Sequence, residues 1–588
     1  MPSLWKGSKN IVRAEWHDFS KGLWSVGGKE HTMTGYIRRA KGLHAIRTPH
    51  LRSRDGSTKL YDLTAHSLVR FDDVQIQAAG GSLYRAGAVV TSSLNGSRLR
   101  FVPMPAQPGL NDYLFITGGG LARKLDDGGS VTTWGITNPG GPPSLAETSA
   151  GTGALANGVY KYKVVFRNGS TGSRSNAQDL DAPITIASGP SSVSLTNIPV
   201  SSDGQVTERE IYRTTVGGAL YFLAITISDN STTSTTDNVA DADLLSFQLQ
   251  TDNDRPYDSC AEAWFHDSVM WMTRDTQPGT AGRAYYSPIG RPESLLGFVE
   301  VSNTDDPCQV GFSFAESNWV MTQKNIYRIT GDAEPFIPRK VHQCPGTIYP
   351  YTVVVTPFGV VYQSFDGIRL FDGNTSTLIG FEAIGPIFRG QTIENLGPFV
   401  GTTATYAKEE YIISDGTTTL AINLRLGTWR DLGIGCSALY TEQDTPNVIA
   451  SFNFGVYALE DYSTVLDGTD AIDLEWELGA KISDISQRTI IQRVYIDIDT
   501  GGQLLTPTIV IDNTTIELPT FLTNSRELVE YSINRTCRLV GLRLAGQVED
   551  VVNLYAVELD LAMGVSNSTT NKHLKGGANY VDYLPICT

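Results

Sequence analysis

Short runs of alternating apolar and polar residues, each bounded by Gly, Asp, Asn or Pro, recur along the whole 588-residue chain. Such a period of two places every second side chain on one face of a β-strand, whereas a helix needs apolar residues three and four positions apart. Sustained helical periodicity is almost absent, and 58 glycines are available for tight turns. The pattern predicts an all-β protein built from many short strands.

A strand, a tight turn and a second strand with a tyrosine or phenylalanine form a loose repeat. A propeller suits such units, because radial repetition leaves only short, protected sheet edges. Since the repeat has no fixed period, unrelated hairpins from sandwiches are the alternative. The units lie at residues 80–85, 112–118, 266–272, 318–329, 359–371, 410–413 and 454–459.

Two stretches interrupt the repeat, and each predicts a β-sandwich. The first follows the Pro/Gly-rich hinge 138–143 and contains Tyr160, Tyr162 and Phe166 on one strand face, which indicates an inserted sandwich of fibronectin type III character. The second begins where residues 474–478 alternate cleanly. The predicted organisation is an N-terminal arm with the first blades (1–137), the inserted sandwich (138–250), the remaining blades (251–467), a C-terminal sandwich (468–565) and a tail (566–588).

The charge is negative overall and uneven along the chain. The net charge is −16, but residues 1–60 carry twelve Lys or Arg and four Asp or Glu, so the remainder carries −24. Wrapping nucleic acid requires clustered Lys and Arg, so the negative net charge argues against this mode of binding. Enclosing DNA is different, because a wall of the same sign as the phosphates repels a moving strand.

Neither cysteines nor hydrophobic segments indicate export or a membrane. The cysteines lie far apart without a C-x-x-C pair, which excludes a compact zinc framework or a small disulfide scaffold. The N-terminus lacks an apolar signal region, and no stretch approaches the ~18 apolar residues of a spanning helix. Free thiols and no membrane segment are expected. The six cysteines are Cys260, Cys308, Cys344, Cys436, Cys537 and Cys587.

The sequence evidence for catalytic groups is weak. Gly118–Gly120 followed by Lys124 lacks the G-K-[ST] ending of a phosphate loop and predicts a hairpin turn instead. Glycan hydrolysis needs paired carboxylates, but adjacent acids on an extended strand point to opposite faces. The segment 364–367 (Ser-Phe-Asp-Gly) resembles a sialidase Asp-box turn without its downstream aromatic residue. The adjacent acid pairs are Asp305–Asp306, Asp72–Asp73 and Glu409–Glu410.

Metal and modification sites are equally weak. His44 and His50 are close in sequence, but no acidic residue repeats at ligand spacing. The acidic loops 252–254 and 126–127 lack the graded ligands of a calcium loop. The sequons at Asn168 and Asn513 predict turns rather than glycosylation. No catalytic, metal-binding or cofactor-binding residue is assigned, and no cofactor is expected.

The basic arm leaves two interpretations open. Its cations surround Gly35, Gly42 and Pro49, so the segment is predicted either to contact an acidic partner ring or DNA, or to form a solvated blade edge. These cations are Arg38, Arg39, Lys41, Arg47, Arg52 and Arg54.

The order of several motifs resembles the tail nozzle family of short-tailed bacteriophages, also called tail tubular protein B or the packaged-DNA stabilisation hub. Residues 18–23 (Asp-Phe-Ser-Lys-Gly-Leu) look like its N-terminal "D-x-S-x-G-L/I" motif, which Gly35–Arg39 follows. Tyr160-Lys161-Tyr162, Ser173–Ser175, Ile211–Thr214, Gly217-Gly218 and Asp237 are similar to a "Y-x-Y … S-x-S … I-Y-R-T … G-G … D" signature. Residues 326–331 and 365–373 resemble its later blades. The resemblance spans most of residues 10–565.

This resemblance implies a structural virion protein without enzymatic activity. Such subunits form a six-fold ring, expected here as a homohexamer, below the head–tail adaptor protein. The ring retains packaged double-stranded DNA, conducts it through its lumen without sequence recognition during ejection, and meets a tail fibre or spike. The expected location is the virion tail, after assembly in the host cytoplasm. The alternatives are a tail-associated glycan-degrading enzyme, such as a depolymerase or sialidase-like propeller, and a receptor-binding adhesin.

Overall fold

The structure is a computed structural model, in which 52% of the chain is strand and 2% is helical. These fractions confirm the all-β class, and the series of small four-stranded antiparallel sheets confirms the β-propeller. The chain divides into two compact units, Ala65–Pro350 with Gly373–Thr375, and Met1–Thr64 with Tyr351–Asp372 and Ser376–Thr588. The described residues are 5–6, 11–19, 22–23, 36–37, 39–44, 50–104, 112–331, 333–392, 397–442, 445–481, 489–512 and 514–563.

The N-terminal part contributes seven short strands, all of which belong to the unit that also contains the C-terminus. β1 pairs with β2 and β3 pairs in parallel with β4, whereas β2, β5, β6 and β7 also pair with strands far along the chain. The strands are β1 (Trp5–Lys6), β2 (Ile11–Trp16), β3 (Gly22–Leu23), β4 (Tyr36–Ile37), β5 (Arg39–Lys41), β6 (Leu51–Arg52) and β7 (Thr58–Tyr61).

The unit built around Ala65–Pro350 contains four antiparallel sheets, each formed by four consecutive strands, as in a propeller blade. The first strands of successive sheets contact one another, so they are the inner strands. The first two sheets comprise β8 (Ser67–Phe71), β9 (Val74–Ala79), β10 (Ser82–Arg85) and β11 (Ala88–Thr91), then β12 (Arg100–Met104), β13 (Tyr113–Thr117), β14 (Arg123–Asp126) and β15 (Val131–Thr133).

A sandwich interrupts the blades after β15. Its two sheets have the orders β16-β19-β22 and β18-β17-β20-β21, and Tyr160, Val164 and Ile211 lie in the core between them. Gln205 donates hydrogen bonds to the backbone carbonyls of Thr133 and Gly135, which fixes the sandwich to the preceding blade. The strands are β16 (Ser144–Thr148), β17 (Gly158–Arg167), β18 (Ala182–Ile186), β19 (Ser192–Thr196), β20 (Glu208–Thr214), β21 (Tyr221–Ile227) and β22 (Thr235–Asp237), followed by a 3-10 turn at Asp241–Asp243.

Two further blades complete this unit. Buried tryptophans pack between them, with the Trp264 and Trp271 ring centroids 5.9 Å apart. The strands are β23 (Cys260–His266), β24 (Val269–Asp275), β25 (Arg283–Tyr286), β26 (Gly297–Glu300), β27 (Cys308–Phe314), β28 (Ser317–Thr322), β29 (Ile326–Thr330) and β30 (Ile337–Val341), and a 3-10 turn follows at Pro350–Thr352.

The other unit contains three blade sheets, and β7 is the outer strand of the last one. A short helix α1 (Phe381–Phe388) begins at Gly380, where φ is +68° and a Cβ atom would lie 2.3 Å from the Trp429 ring, so only glycine fits. The strands are β31 (Val354–Thr356), β32 (Gly359–Ser364), β33 (Gly367–Phe371), β34 (Ser376–Ile379), β35 (Thr403–Ala407), β36 (Glu410–Ser414), β37 (Thr419–Asn423), β38 (Trp429–Asp431), β39 (Ala438–Thr441), β40 (Val448–Phe452) and β41 (Gly455–Leu459).

The C-terminal strands form a second sandwich together with N-terminal strands. Its sheets have the orders β1-β2-β48-β43-β46, with β6 also on β48, and β45-β44-β47-β42-β5. The predicted domain boundaries did not assign arm strands to this sandwich, and they stay a prediction. The predicted tail, residues 566–588, lies outside the described residues. The strands are β42 (Ile472–Lys481), β43 (Thr489–Asp499), β44 (Thr506–Ile511), β45 (Thr514–Glu517), β46 (Glu527–Cys537), β47 (Leu539–Val548) and β48 (Asn553–Met563).

Four blades share one turn geometry between their first and second strands. Both central residues have positive φ at Asp72-Asp73, Asp267-Ser268, Ala315-Glu316 and Lys408-Glu409. This is the type I′ conformation, which favours Asn-Gly because other residues meet steric strain there. None of these four turns has glycine at its central positions, and Ala315-Glu316 and Lys408-Glu409 also lack the Asn or Asp that tolerates positive φ, so these two turns carry local strain.

We expect the double substitution A315N/E316G to raise the free energy of unfolding by about 1 kcal/mol, because both residues would then suit positive φ. Urea unfolding followed by tryptophan fluorescence measures the change. The control is Glu316→Gln, which keeps the strained backbone and should leave the midpoint unchanged. An unchanged midpoint for the double variant would contradict the assigned strain.

Candidate functional site

The structure separates the carboxylates considered for hydrolysis. Asp72, Asp73 and Glu409 lie in left-handed turns, so the expectation that these acids lie on extended strands is wrong for them. Asp306 is buried and accepts hydrogen bonds from the Lys324 backbone N–H and from Asn325 Nδ2. Asp72 and Asp73 share one turn, but their carboxylates pair with different arginines, Arg85 and Arg70.

The two loop motifs also have structural partners. Gly118–Gly120 connects β13 to β14, and Lys124 Nζ lies 2.7 Å from the buried Glu293 carboxylate rather than in a phosphate loop. Asp366 accepts both guanidinium hydrogen bonds of Arg369, at 2.9 and 2.7 Å. Phe365 is 69% exposed at the tip of its hairpin. Neither loop presents a free charged group at its centre.

The candidate metal and glycosylation residues are likewise distributed. His44 Nδ1 lies 3.5 Å from Asp55, whereas His50 stacks on Tyr555. Asn168 caps its own turn by accepting the Ser170 backbone N–H, and Asn513 lies outside the described residues. In the part of the chain that the structure describes, no group of three or more His, Cys, Asp or Glu is placed to hold a metal ion.

The basic arm is only partly a surface. Arg38 and Arg47 lie outside the described residues. Arg54 is buried. Its Nη1 donates a hydrogen bond to the Asp467 carboxylate at 2.9 Å, and its Nε donates one to the Leu432 carbonyl at 2.7 Å. Both interpretations of the arm are therefore wrong for Arg54, which forms a buried ion pair within the chain and faces neither a partner nor solvent.

Arg430 on β38 is the centre of a buried charge cluster. Its guanidinium donates to Glu410 at 3.0 and 2.6 Å and to Glu460 at 2.6 and 2.7 Å. It also donates to the Leu43 carbonyl at 2.8 Å. Burial opposes the charged form, but the two carboxylates outweigh it and raise the pKa of Arg430 well above its ordinary value. The cluster ties the N-terminal segment to two blades of the same unit.

His44 lies beside this cluster. Its pKa is lowered chiefly by burial, with Arg430 and Arg52 also lowering it while Glu460 and Asp55 act in the opposite direction. Burial would raise the pKa of Glu460, but the Arg430 charge outweighs burial and lowers it. The folded state therefore favours neutral His44 and ionised Glu460.

Acid should weaken this unit in two stages. A lowered histidine pKa means that stability is complete above its ordinary value and decreases as pH falls through it, because the unfolded chain takes up the proton first. Because the pKa of Glu460 is also lowered, further stability is lost as pH falls below the ordinary pKa of a carboxyl group. We expect the urea midpoint of the wild-type chain to fall between pH 7 and pH 5. In His44→Gln the midpoint should fall less over the same range. A midpoint independent of pH in both proteins would contradict the assignment.

A second buried cluster lies in the inserted sandwich. Arg213 and Asp237 are fully buried, with Nε 2.9 Å from the carboxylate. The Tyr162 hydroxyl donates to the same carboxylate at 2.7 Å, and Arg213 lies 5.0 Å from the Tyr160 ring centroid. Burial, and after it the neighbouring Asp237 carboxylate, raises the pKa of Tyr162. Four residues of the nozzle-like signature are thus linked in one buried cluster.

The inner strand β23 carries a fully buried carboxylate, Glu262. Arg100 Nε and Nη2 donate to its two oxygens at 2.6 and 3.0 Å. Burial raises the pKa of Glu262, against the opposing charges of Arg100 and Arg274. No local sequence signal marks Glu262, because its partner Arg100 is 162 positions away.

No protein-family model and no curated protein matches the chain. Among solved structures it resembles the exo-β-1,3-galactanase of Phanerochaete chrysosporium with β-1,3-galactotriose (9% identity, 60% of this chain and 93% of that one, TM-score 0.16). It also resembles AztD from Citrobacter koseri (10%, 67% and 99%, TM-score 0.24) and YCF48 bound to D1 peptide (12%, 47% and 89%, TM-score 0.21). These similarities concern the propeller fold alone.

The comparison corrects one expectation. The expectation of no enzymatic activity, which the nozzle resemblance implied, is wrong on this comparison, because a glycoside hydrolase is among the propellers that the chain resembles. Fold by itself does not define activity, so the similarity assigns no reaction and no substrate. Among the described residues, no helix is long and apolar enough to cross a membrane.

Proposed function

We propose that the chain is a subunit of a phage tail nozzle, a ring that retains packaged DNA and conducts it during ejection. The observation that carries the proposal is the ordered set of nozzle-like motifs between residues 10 and 565. Ring formation, the adaptor and fibre partners, and a location in the virion tail belong to the same proposal.

The N-terminal motif supports the proposal through its buried position. Phe19 is 1% exposed within the core of the C-terminal sandwich, and Gly22–Leu23 form β3, paired with β4. This motif packs an N-terminal residue into the core of the C-terminal sandwich, which is a physical reason for it to occur at a fixed place in such a subunit. The contacts among Tyr160, Tyr162 and Asp237 give the insert signature a comparable reason.

The charge distribution supports DNA passage rather than DNA binding. In the unit built around Ala65–Pro350, the turns between the first and second strands of three blades present exposed acids at Asp73, Asp267 and Glu316. Carboxylates repel phosphates, so a DNA strand moving past them would not adhere. This property suits a conduit that does not read sequence.

Electron microscopy of the purified chain, alone and mixed with the head–tail adaptor of the same phage, tests the proposal. We expect a tapered six-fold ring that stacks on the adaptor ring. A cyclic ring needs heterologous contacts between copies, so its mass should be about six times the 63.9 kDa of one chain. A chain that neither forms a ring nor binds the adaptor would overturn the proposal.

A glycan-degrading propeller is the second candidate, and Glu262 is the observation that favours it. A raised carboxyl pKa is one property of a general acid, and burial on the inner strand β23 raises the pKa of Glu262. Its bidentate pairing with Arg100 occupies both oxygens and argues for a structural role. Release of reducing sugar from β-1,3-galactan or host capsular polysaccharide, lost in Glu262→Gln, would establish this candidate instead.

A further inference from the structure

A serine, a histidine and an aspartate lie in contact at one end of two neighbouring blades. His266 is the last residue of β23, and Ser313 lies one residue before the end of β27, the inner strand that contacts β23. His266 Nδ1 is 2.8 Å from Ser313 Oγ, and His266 Nε2 is 3.1 Å from the Asp267 carboxylate. A nucleophile, a base and a carboxylate therefore follow one another in the order that acyl-transferring enzymes use.

The carboxylate influences which nitrogen of His266 carries the proton. A negative charge beside Nε2 favours the tautomer with hydrogen on that nitrogen, because an ionised carboxylate can only accept. Nδ1 of the neutral ring is then unprotonated and accepts the Ser313 hydroxyl hydrogen. Burial lowers the pKa of His266 although Asp267 raises it, so the ring is mainly neutral at pH 7. The histidine is thus in the state that a general base requires.

His266 differs from the residues at the same position in similar hairpins. In the three other blades with a left-handed turn after the first strand, the residue just before the turn is Phe71, Phe314 or Ala407. Each of these is apolar, so the hairpin itself does not require a polar side chain there. The histidine calls for a different explanation.

Buried contacts beneath these residues fix their geometry. Trp264 lies two residues before His266, on the same face of β23. It packs on Gly311 of β27, where a Cβ atom would lie 2.3 Å from the indole ring. The indole Nε1 donates to Asn318 Oδ1 at 2.7 Å, and Asn318 is the cross-strand partner of Ser313. This packing sets the distance between the two blades and holds Ser313 against His266.

The surroundings of Ser313 indicate which substrates can reach it. Ser313 is exposed, whereas the His266 side chain is only 11% exposed. Asp267 is 83% exposed, and Glu316 is exposed in the turn that follows β27. Carboxylates repel anions, so an uncharged or cationic substrate is favoured over an anionic one.

We propose that Ser313 and His266 form a nucleophilic site, with Asp267 positioning the imidazole, that hydrolyses uncharged or cationic carboxylic esters. Ser313 Oγ bonds to the acyl carbon while its proton passes to His266 Nδ1, and the ester C–O bond breaks. The alcohol leaves with that proton, and the acyl group stays on Ser313. Water then attacks the acyl carbon, and its proton passes through His266 to Ser313 Oγ as the carboxylic acid leaves. The reaction consumes one water molecule and no other reactant. This site does not rest on the proposed nozzle function.

Hydrolysis of 4-nitrophenyl acetate by the full chain tests the proposal. We expect Ser313→Ala and His266→Gln each to lower kcat/KM about a hundredfold or more, the usual contribution of general-base catalysis. Ser268→Ala and His342→Gln replace exposed residues of the same types in the same unit and should leave kcat/KM unchanged. Asp267→Asn should lower kcat/KM and move the midpoint of its pH profile to lower pH, because the carboxylate raises the pKa of His266.

A fluorophosphonate probe gives a second readout that does not depend on turnover. Ser313 Oγ should displace fluoride from phosphorus, and mass spectrometry of a digest should locate the adduct on Ser313 in the wild-type chain but not in His266→Gln. A wild-type chain that hydrolyses the ester no faster than Ser313→Ala overturns the proposal, and so does a probe that leaves Ser313 unmodified. Circular dichroism shows that each variant is folded. Ring formation on the adaptor reports the nozzle proposal separately.

Discussion

Replacing Arg430 with alanine is expected to lower the free energy of unfolding by about 3 to 5 kcal/mol, because Glu410 and Glu460 would remain buried without their cation. The arginine is 2% exposed and also caps the Leu43 carbonyl, so solvent does not replace its contacts. Urea unfolding followed by tryptophan fluorescence should show the loss, since Trp429 is the neighbouring residue on β38.

Arg425→Ala is the matched control for this prediction. Its guanidinium pairs with Glu409 at 3.0 Å on the same blade, but its side chain is 69% exposed. Surface pairs contribute at most about 1 kcal/mol, so the midpoint should hardly move. Equal losses in the two variants would show that burial does not determine the contribution of Arg430.

Removing the carboxylate of Asp237 should destabilise the inserted sandwich by about 3 kcal/mol. Asp237→Ala leaves Arg213, which is fully buried, with Asp241 as its remaining ionic partner. We expect limited proteolysis to cut residues 138–250 faster in the variant, while the urea midpoint of the unit containing Arg430 stays unchanged.

Tyr162→Phe distinguishes the contribution of the Tyr162 hydrogen bond to stability from that of the buried ion pair. It removes the 2.7 Å hydrogen bond to Asp237 but leaves the ion pair with Arg213, so the loss should be about 1 kcal/mol. Proteolysis as fast in Tyr162→Phe as in Asp237→Ala would assign the stability to the hydroxyl group rather than to the buried charge.

Local patterns were sufficient for the fold class. The period of two on β17 and the Gly217-Gly218 turn identified real strands, because a strand's face and a hairpin's turn depend on neighbouring residues. Turn geometry without glycine was harder to predict. Ala315-Glu316 adopts type I′ angles that its residue types disfavour, and the surrounding sheet imposes them.

Sequence separation explains what the motifs did not predict. Arg54 was assigned to a basic arm because its neighbours are basic, whereas its carboxylate partner is Asp467. Glu410 and Glu409 are adjacent in sequence, yet one is buried against Arg430 and the other pairs at the surface with Arg425. Charge counted along the chain does not reveal which charges are neutralised inside it.

By itself the sequence determined that this chain forms alternating strands, where its turns fall and which faces are apolar, since these depend on contacts within a few residues. Only the tertiary structure decided that β2 pairs with β48 and β7 with β41, and that Arg430 meets two carboxylates. These contacts join residues up to several hundred positions apart. They arise from burial and electrostatic pairing in three dimensions, which no local pattern encodes.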